Sequence, residues 1–270
     1  MADTSAILEQ VKERSFELET RVKALIWTLA SVTLALGAWA LLIVVMKPAP
    51  YILPAPWDVL MRTWSERSLL ASHGLVTMGE IIAGLVISIV VAIPLGIAIV
   101  AIPVAEKLLY PIIVAFNAIP KVALAPLFVV WFGYGFLPRV LITSSIAFFP
   151  ILVSTISGLI AIEPDLLRLA RVLRAHRLQI FLRMRLPHAM PSIFAGIKVA
   201  TSLAVIGGII GEFVASDSGW GYLLVQASGT LDTTIMFSVV IILAIVASCL
   251  FSIVGLLERM MVSWHASQRS

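Results

Sequence analysis

The chain has 270 residues, 60% of them hydrophobic and only 13% charged, with a mean hydropathy of +1.06; this excludes an ordinary soluble domain and puts the chain in a membrane. Its formal charge of +4 comes from nineteen Lys and Arg against fifteen Asp and Glu, but the basic residues sit at the ends of apolar runs without any nucleic-acid motif, so they report topology and not nucleic-acid binding. The one cysteine, Cys249, lies in an apolar run, which excludes an internal disulfide framework and a Cys-rich metal site and reads as a small core residue.

A helix rises ~1.5 Å per residue, so a hydrocarbon core of ~30 Å takes roughly 20 residues to cross. Six stretches qualify, at 24–46, 81–104, 108–132, 140–162, 191–213 and 235–257. The expected fold is therefore all-α and polytopic, with a membrane domain over 24–257. Ahead of it, Leu8, Val11, Leu18 and Val22 keep helical spacing, which predicts a helix within residues 1–23. The run at 24–46 is too long for a signal-peptide core and is expected to be a retained first span. After it, Pro48, Pro50, Pro54 and Pro56 predict an extended stretch, and 57–73 an interfacial helix with Trp57, Leu60, Met61 and Trp64 on one face.

The third stretch is interrupted by Pro120, Lys121 and Pro126, and the fourth, which follows Arg139, carries Phe149-Pro150 as an expected kink. Between the last two spans, 215–234 is rich in Gly and Ser, with Trp220 and Tyr222 expected at headgroup depth. With both termini inside, thirteen Lys and Arg fall in inner segments and four (Lys47, Arg62, Arg67, Arg139) in outer ones. That bias predicts cytoplasmic termini, including the tail at 258–270, and contact between the inner arginines and lipid headgroups.

The segment 163–190 is longer than a bundle connection needs, and six arginines crowd into it. Pro164 and Asp165 suit a helix start, and Leu166, Leu169, Ala170 and Leu173 recur with helical spacing opposite Arg168, Arg171, Arg174 and Arg177. A second helix is expected over 177–185, stopped by Pro187, with Pro191 starting the next span. A short amphipathic helix held by two spans is a lever; the competing reading is a topogenic loop that meets only anionic lipid.

Ionisable groups inside the bilayer are functional candidates. Lys121 falls roughly 20 Å deep if helical, where it either lines a path or forms an ion pair with Glu80 or Glu212. Glu212 lies beside Gly207, Gly208 and Gly211, which suit a gate or a dimer seam; the competing reading is a plain interfacial carboxylate. Lys198 is near enough to the inner surface to reach headgroups along its stem. Glu80 lies near an interface, and Phe149 is placed to help close a pore by packing.

Asp165-Leu-Leu-Arg-Leu-Ala-Arg-Val-Leu-Arg174, followed by Gln179-Ile-Phe and Leu186-Pro187, resembles the cytoplasmic signature loop of permease subunits of bacterial ATP-binding-cassette importers. The likeness continues through Pro120-Lys-Val-Ala-Leu-Ala-Pro-Leu-Phe128, Trp131-Phe-Gly133, Phe149-Pro150, Gly211-Glu-Phe213 and Gly219-Trp-Gly-Tyr222, and is strongest to the nitrate, sulfonate, taurine and thiamine-precursor branch. In that family's pattern Glu-Ala-Ala is followed by three residues and Gly. Here Arg168 and Leu169 replace the first two, Ala170 is kept, Arg174 stands where the Gly would be, and Met184 replaces a later Ile.

The resemblance implies a type I importer permease fold in the bacterial inner membrane. It also implies a pore made with a second, usually identical permease, two ATPase subunits gripping the loop, and an external binding protein that delivers a small polar or anionic solute. It assigns coupling to Leu169, Ala170, Arg171, Leu173, Arg174, Ala175 and His176; the path or gate candidates Lys121, Phe149, Glu212 and Glu80 rest instead on their placement within the bilayer. No phosphate-binding Gly-Lys-Ser/Thr stretch, His-Glu-x-x-His or serine-protease motif occurs, so the chain reads as a pore subunit without cofactor or metal, its ATP hydrolysed by a partner. The alternative is a secondary transporter or channel-like bundle working without an ATPase.

Overall fold

The computed structural model describes residues 26–27 and 30–262; the helix expected within 1–23 and the tail at 263–270 lie outside them. All regular structure among these residues is helical. The helices are α1 (Ala30–Met46), α2 (Pro56–Ser65), α3 (Arg67–Ala101), α4 (Pro103–Asn117), α5 (Ala125–Phe132), α6 (Phe136–Ile160), α7 (Pro164–Val172), α8 (Arg177–Ile180), α9 (Leu186–Ala215), α10 (Trp220–Thr230) and α11 (Thr233–Met261). Four continuous helices are long and apolar enough to cross a membrane, at Arg67–Ala101, Phe136–Ile160, Leu178–Ala215 and Thr233–Met261; a bent pair, Lys107–Asn117 and Lys121–Phe132, makes a fifth if it counts as one span. The first expected span is described only as the shorter apolar helix α1.

The centre of the molecule is a three-helix sandwich of α3, α6 and α9, with Ile81, Leu85 and Ala92 meeting Ile151, Leu152 and Ile156, and these meeting Ile193, Ile197, Ala200 and Ala204. Small residues set how close the backbones come. A Cβ on Gly207 would lie 2.9 Å from Thr143 Cα, one on Gly208 2.9 Å from Ile81 Cγ1, and one on Gly211 3.1 Å from Arg139 Cα. The glycine run of α9 is thus a seam with α3 and α6 of the same chain. In a bilayer, where apolar faces gain nothing by leaving lipid, such close packing carries much of the helix association.

Several boundaries differ from the sequence reading. α3 begins fourteen residues before the expected 81, because nothing between Arg67 and Glu80 breaks a helix once Glu66 has ended α2. The interfacial helix is correspondingly shorter: α2 stops at Ser65, and His73 belongs to α3. One side of α2 is fixed by buried Val59 and by Arg62, which reaches Asp232 at 3.2 Å, leaving Trp57, Leu60, Met61 and Trp64 exposed.

Pro187 does not stop the second loop helix, and Pro191 does not start a span. From Leu178 the helix runs unbroken to Ala215. At Phe181–Arg185 it widens into a π turn, Leu186 N–H donating to Phe181 O five residues back. Pro187 follows directly, and the shift from i−4 to i−5 bonding at the π turn accommodates its missing N–H within the continuous helix. Lys198 pairs with Glu258 of α11 instead of reaching headgroups, and Cys249 faces outward on α11.

Trp220, expected at a headgroup, is buried. Gly74 of α3 leaves the space its ring fills, and the indole N–H donates to Leu70 O at 2.8 Å, which gives a buried indole the hydrogen bond it needs.

Candidate functional site

Three places gather the candidate residues. The first is the break between α4 and α5. Pro120 cannot continue α4, whose end tightens through Ala118 N–H to Ala115 O and Ile119 N–H to Phe116 O. The chain resumes as a 3₁₀ turn at Lys121–Leu124 that runs into α5, with Pro126 in the first turn, and the two arms bend by 84°. Lys121 stands at the corner. Its Nζ donates to Asn117 O at 2.7 Å and to Asn117 Oδ1 at 3.2 Å, and lies 4.7 Å from the centre of the Phe149 ring. A cation over an aromatic face is held electrostatically, so the two residues singled out separately in the sequence form one unit. α6 meanwhile continues helically through Pro150.

The second place lies where α3, α6 and α9 meet the 216–219 loop. Glu80 and Glu212 are the acids considered as partners for Lys121, and both are engaged here instead. Glu212, 1% exposed, accepts from Thr77 Oγ1 at 2.6 Å and from Gly221 N–H. Thr77 Oγ1 in turn accepts from Trp220 N–H at 2.8 Å, and His73 Nδ1 accepts from Gly219 N–H at 2.9 Å. Glu80 is fully buried with its Oε1 2.8 Å from Arg139 Nη1. The geometry there is that of an ion pair only: among the described residues neither Glu80 oxygen receives a well-aligned hydrogen bond. Arg139 spends its directed hydrogen bonds on Gly135 O, 2.8 Å from Nε, and on Ser216 Oγ.

Sequence reasoning missed His73, Thr77, Arg139 and Ser216 as members of this cluster. A signal for the two α3 positions was present: His73, Thr77, Glu80, Gly84 and Ser88 fall at steps of four and three, a small and polar stripe on one face of an otherwise apolar helix. Ser216 carries no such periodic mark, since it lies in a loop.

The third place is the arginine-rich segment. α7 covers Pro164–Val172, and it ends as a Schellman turn: Leu173 N–H donates to Leu169 O and Ala175 N–H to Ala170 O, both at 3.0 Å. Arg174 occupies the position that needs left-handed backbone, with φ of 55°. The turn is therefore kept although Gly is absent, and Arg174 leaves the helical stripe expected for it. His176 begins α8: its carbonyl accepts from Ile180 N–H, while Gln179 Oε1 accepts from His176 N–H, both at 3.0 Å, one half of a capping box. Ala170 is buried, whereas Leu169, Leu173, Arg174 and His176 are exposed and Ala175 is intermediate. Arg171 lies on α7. Arg168 makes an exposed pair with Asp165 at 2.9 Å.

A family described as binding-protein-dependent transport system inner membrane component matches residues 84–263. The formylaminopyrimidine transport permease protein ThiX of Halalkalibacterium halodurans is 34% identical over 220 residues, covering 81% of this chain and 88% of that protein. The riboflavin transport system permease protein RibX of Chloroflexus aurantiacus is 36% identical, covering 80% and 82%. The taurine transport system permease protein TauC of Escherichia coli is 28% identical, covering 88% and 92%. Among solved structures, a chain of the MetNI methionine ABC transporter in inward-facing conformations superposes with a TM-score of 0.61 at 20% identity, over 73% of this chain and 98% of that one, so the two share a fold.

Proposed function

The chain belongs to the family of inner membrane components of binding-protein-dependent transport systems and is a permease subunit of an ATP-binding-cassette importer; on that premise we propose that it forms half of a pore with a second copy of itself and is driven by two ATPase subunits that grip α7, the Arg174 turn and α8. ATP hydrolysis belongs to those subunits. Both termini and the 163–185 segment are cytoplasmic, and the 216–219 loop lies on the side from which the binding protein delivers its solute.

The observation that carries this reading is the uncovered apolar side of α7. Leu169, Val172 and Leu173 are 56, 78 and 71% exposed on a helix whose carboxyl end is fixed by a closed turn, while Ala170 beneath them is buried. A rigid helix that shows leucines between arginines suits a protein groove. Leu169, Ala170, Arg171, Leu173, Arg174, Ala175 and His176 form the coupling surface in this proposal.

Lys121 and Phe149 line the translocation path, at a helix break whose freed carbonyls require protein or water around them. Glu80 and Glu212 form the framework of the gate above it. The solute is small and polar, and the cation at the corner favours an anionic group. The relatives' names, for a formylaminopyrimidine, riboflavin and taurine, span that range of size.

Uptake into proteoliposomes holding the permease, its ATPase and a loaded binding protein tests the reading. Accumulation should require ATP and all three components. Uptake at an equal rate with the ATPase left out would overturn it in favour of a bundle that works alone.

A further inference from the structure

One guanidinium on this chain reaches the turn before α6, the interior of α3 and the loop after α9. Arg139 lies in the first turn of α6, directly after Gly133 and Gly135, whose φ values of 77° and 136° let the chain reverse out of α5. Its Nε–H donates back to Gly135 O at 2.8 Å, which fixes that reversal. Its Nη1 lies 2.8 Å from Glu80 on α3 and donates to Ser216 Oγ in the loop after α9. The side chain is 8% exposed.

Ser216 is the other half of the joint. While it accepts from Arg139, its hydroxyl donates to Ser218 O and accepts from Ser218 N–H at 3.2 Å. The same hydroxyl therefore folds the loop and attaches it to α6. Asp217, between the two serines, is exposed, whereas Gly219 and Trp220 beyond them are buried and tied to α3 through His73 and Thr77. The loop thus has two attachments to the interior, one to α6 through Ser216 and one to α3 through Gly219 and Trp220.

Resting on the importer reading above, we propose that Arg139 is a positioning residue that couples the outer 216–218 loop to the bent α4–α5 hairpin, so that displacement of the loop on its outer face moves the Gly133–Gly135 reversal and, through the short rigid helix α5, the corner at Lys121. Arginine suits this role because its planar fork aims donors in fixed, divergent directions. A lysine would keep the charge beside Glu80 but could not hold Gly135 O and Ser216 Oγ in the same geometry.

The experiment uses the complete transporter, with permease, ATPase and loaded binding protein, in nanodiscs. ATPase activity is measured with and without the binding protein for the unsubstituted complex and for Ser216→Ala, Ser216→Thr and Arg139→Lys. Ser216→Ala leaves the Glu80–Arg139 pair in place, so assembly and basal ATPase activity should stay within about twofold, while stimulation by the binding protein falls by about tenfold, the scale of losing one charge-assisted hydrogen bond. Ser216→Thr keeps the hydroxyl and should recover most of the stimulation; Arg139→Lys should behave like Ser216→Ala.

Full stimulation in Ser216→Ala would overturn the coupling, as would basal and stimulated rates that fall by the same factor, the mark of a merely structural contact. If the unsubstituted complex itself shows no response to its binding protein, the importer reading fails and the coupling with it. Hydrogen exchange provides a second readout: Ser216→Ala should loosen the amides of 118–135 while those in the middle of α6 and α9 stay protected. Unchanged exchange at 118–135 would likewise overturn the proposal.

Discussion

The 216–221 loop and the 163–185 segment are both connections rich in polar groups, yet they are finished in opposite ways. In the first, Ser216, Gly219, Trp220 and Gly221 bond to partners within the chain, and Trp220 sits in a core with Leu70, Leu223 and Ile235. In the second, backbone groups are closed by the Arg174 turn and the Gln179 cap, but the leucines of α7 lie open. One connection has its partners in its own sequence. The other is complete as a backbone and incomplete as a surface, which is what a part that must grip another protein requires.

The contrast is tested most severely by side-chain truncation. Trp220→Ala would empty a space built by Gly74 and remove the indole hydrogen bond to Leu70 O; a cavity of that kind costs about 3–5 kcal/mol, so the detergent-solubilised protein should lose most of its folded yield and unfold at a much lower temperature. Trp64→Ala, on the exposed side of α2, should change stability by only about 0.5 kcal/mol. Equal losses in the two variants would mean that burial does not rank them.

The open segment should answer in the reverse manner. Leu173→Asp puts a charge on the proposed coupling surface without touching the core, so membrane insertion and unfolding temperature should hold while ATP-driven uptake and co-purification of the ATPase fall by about tenfold or more, the usual scale for losing a central apolar anchor. Normal uptake with this variant would remove α7 from the ATPase interface. At the hairpin corner, Lys121→Met keeps the stem over Phe149 and deletes the charge. Uptake should drop several-fold with ATPase association unchanged, and a parallel loss of folded permease would assign Lys121 to structure instead of path.

How far the sequence revealed these regions follows from which physical pattern each one carries. The membrane class, the helix break at Pro120 and the position of α7 were legible, because run length, proline and helical periodicity are local properties. The exact helix ends were not. Pro187 looks like a stop until a π turn five residues wide absorbs it, and α3 reads as starting at 81 only if hydrophobicity is taken as the boundary. The cluster around Arg139 was the least visible part: its bonded members are separated by up to 146 positions along the chain, as His73 is from Gly219, and only their meeting at the α3–α6–α9 seam makes Arg139 a joint instead of a topological charge.

The smallest expected effect concerns the one residue that breaks a local rule in the open segment. Arg174 holds a left-handed φ of 55°, which disfavours a residue with a side chain by roughly 1–2 kcal/mol. Arg174→Gly should relieve that strain and raise hydrogen-exchange protection at the Leu173 and Ala175 amides by about fivefold or more, the factor that roughly 1 kcal/mol gives. Arg174→Ala keeps the Cβ, and with it the strain, so its protection should match the parent. Both variants lose the guanidinium, so comparing their transport rates separates turn from charge. If uptake falls equally in both, the arginine is retained for its charge despite the strained turn; if it falls only in Arg174→Ala, the relaxed turn of glycine makes up for the lost guanidinium.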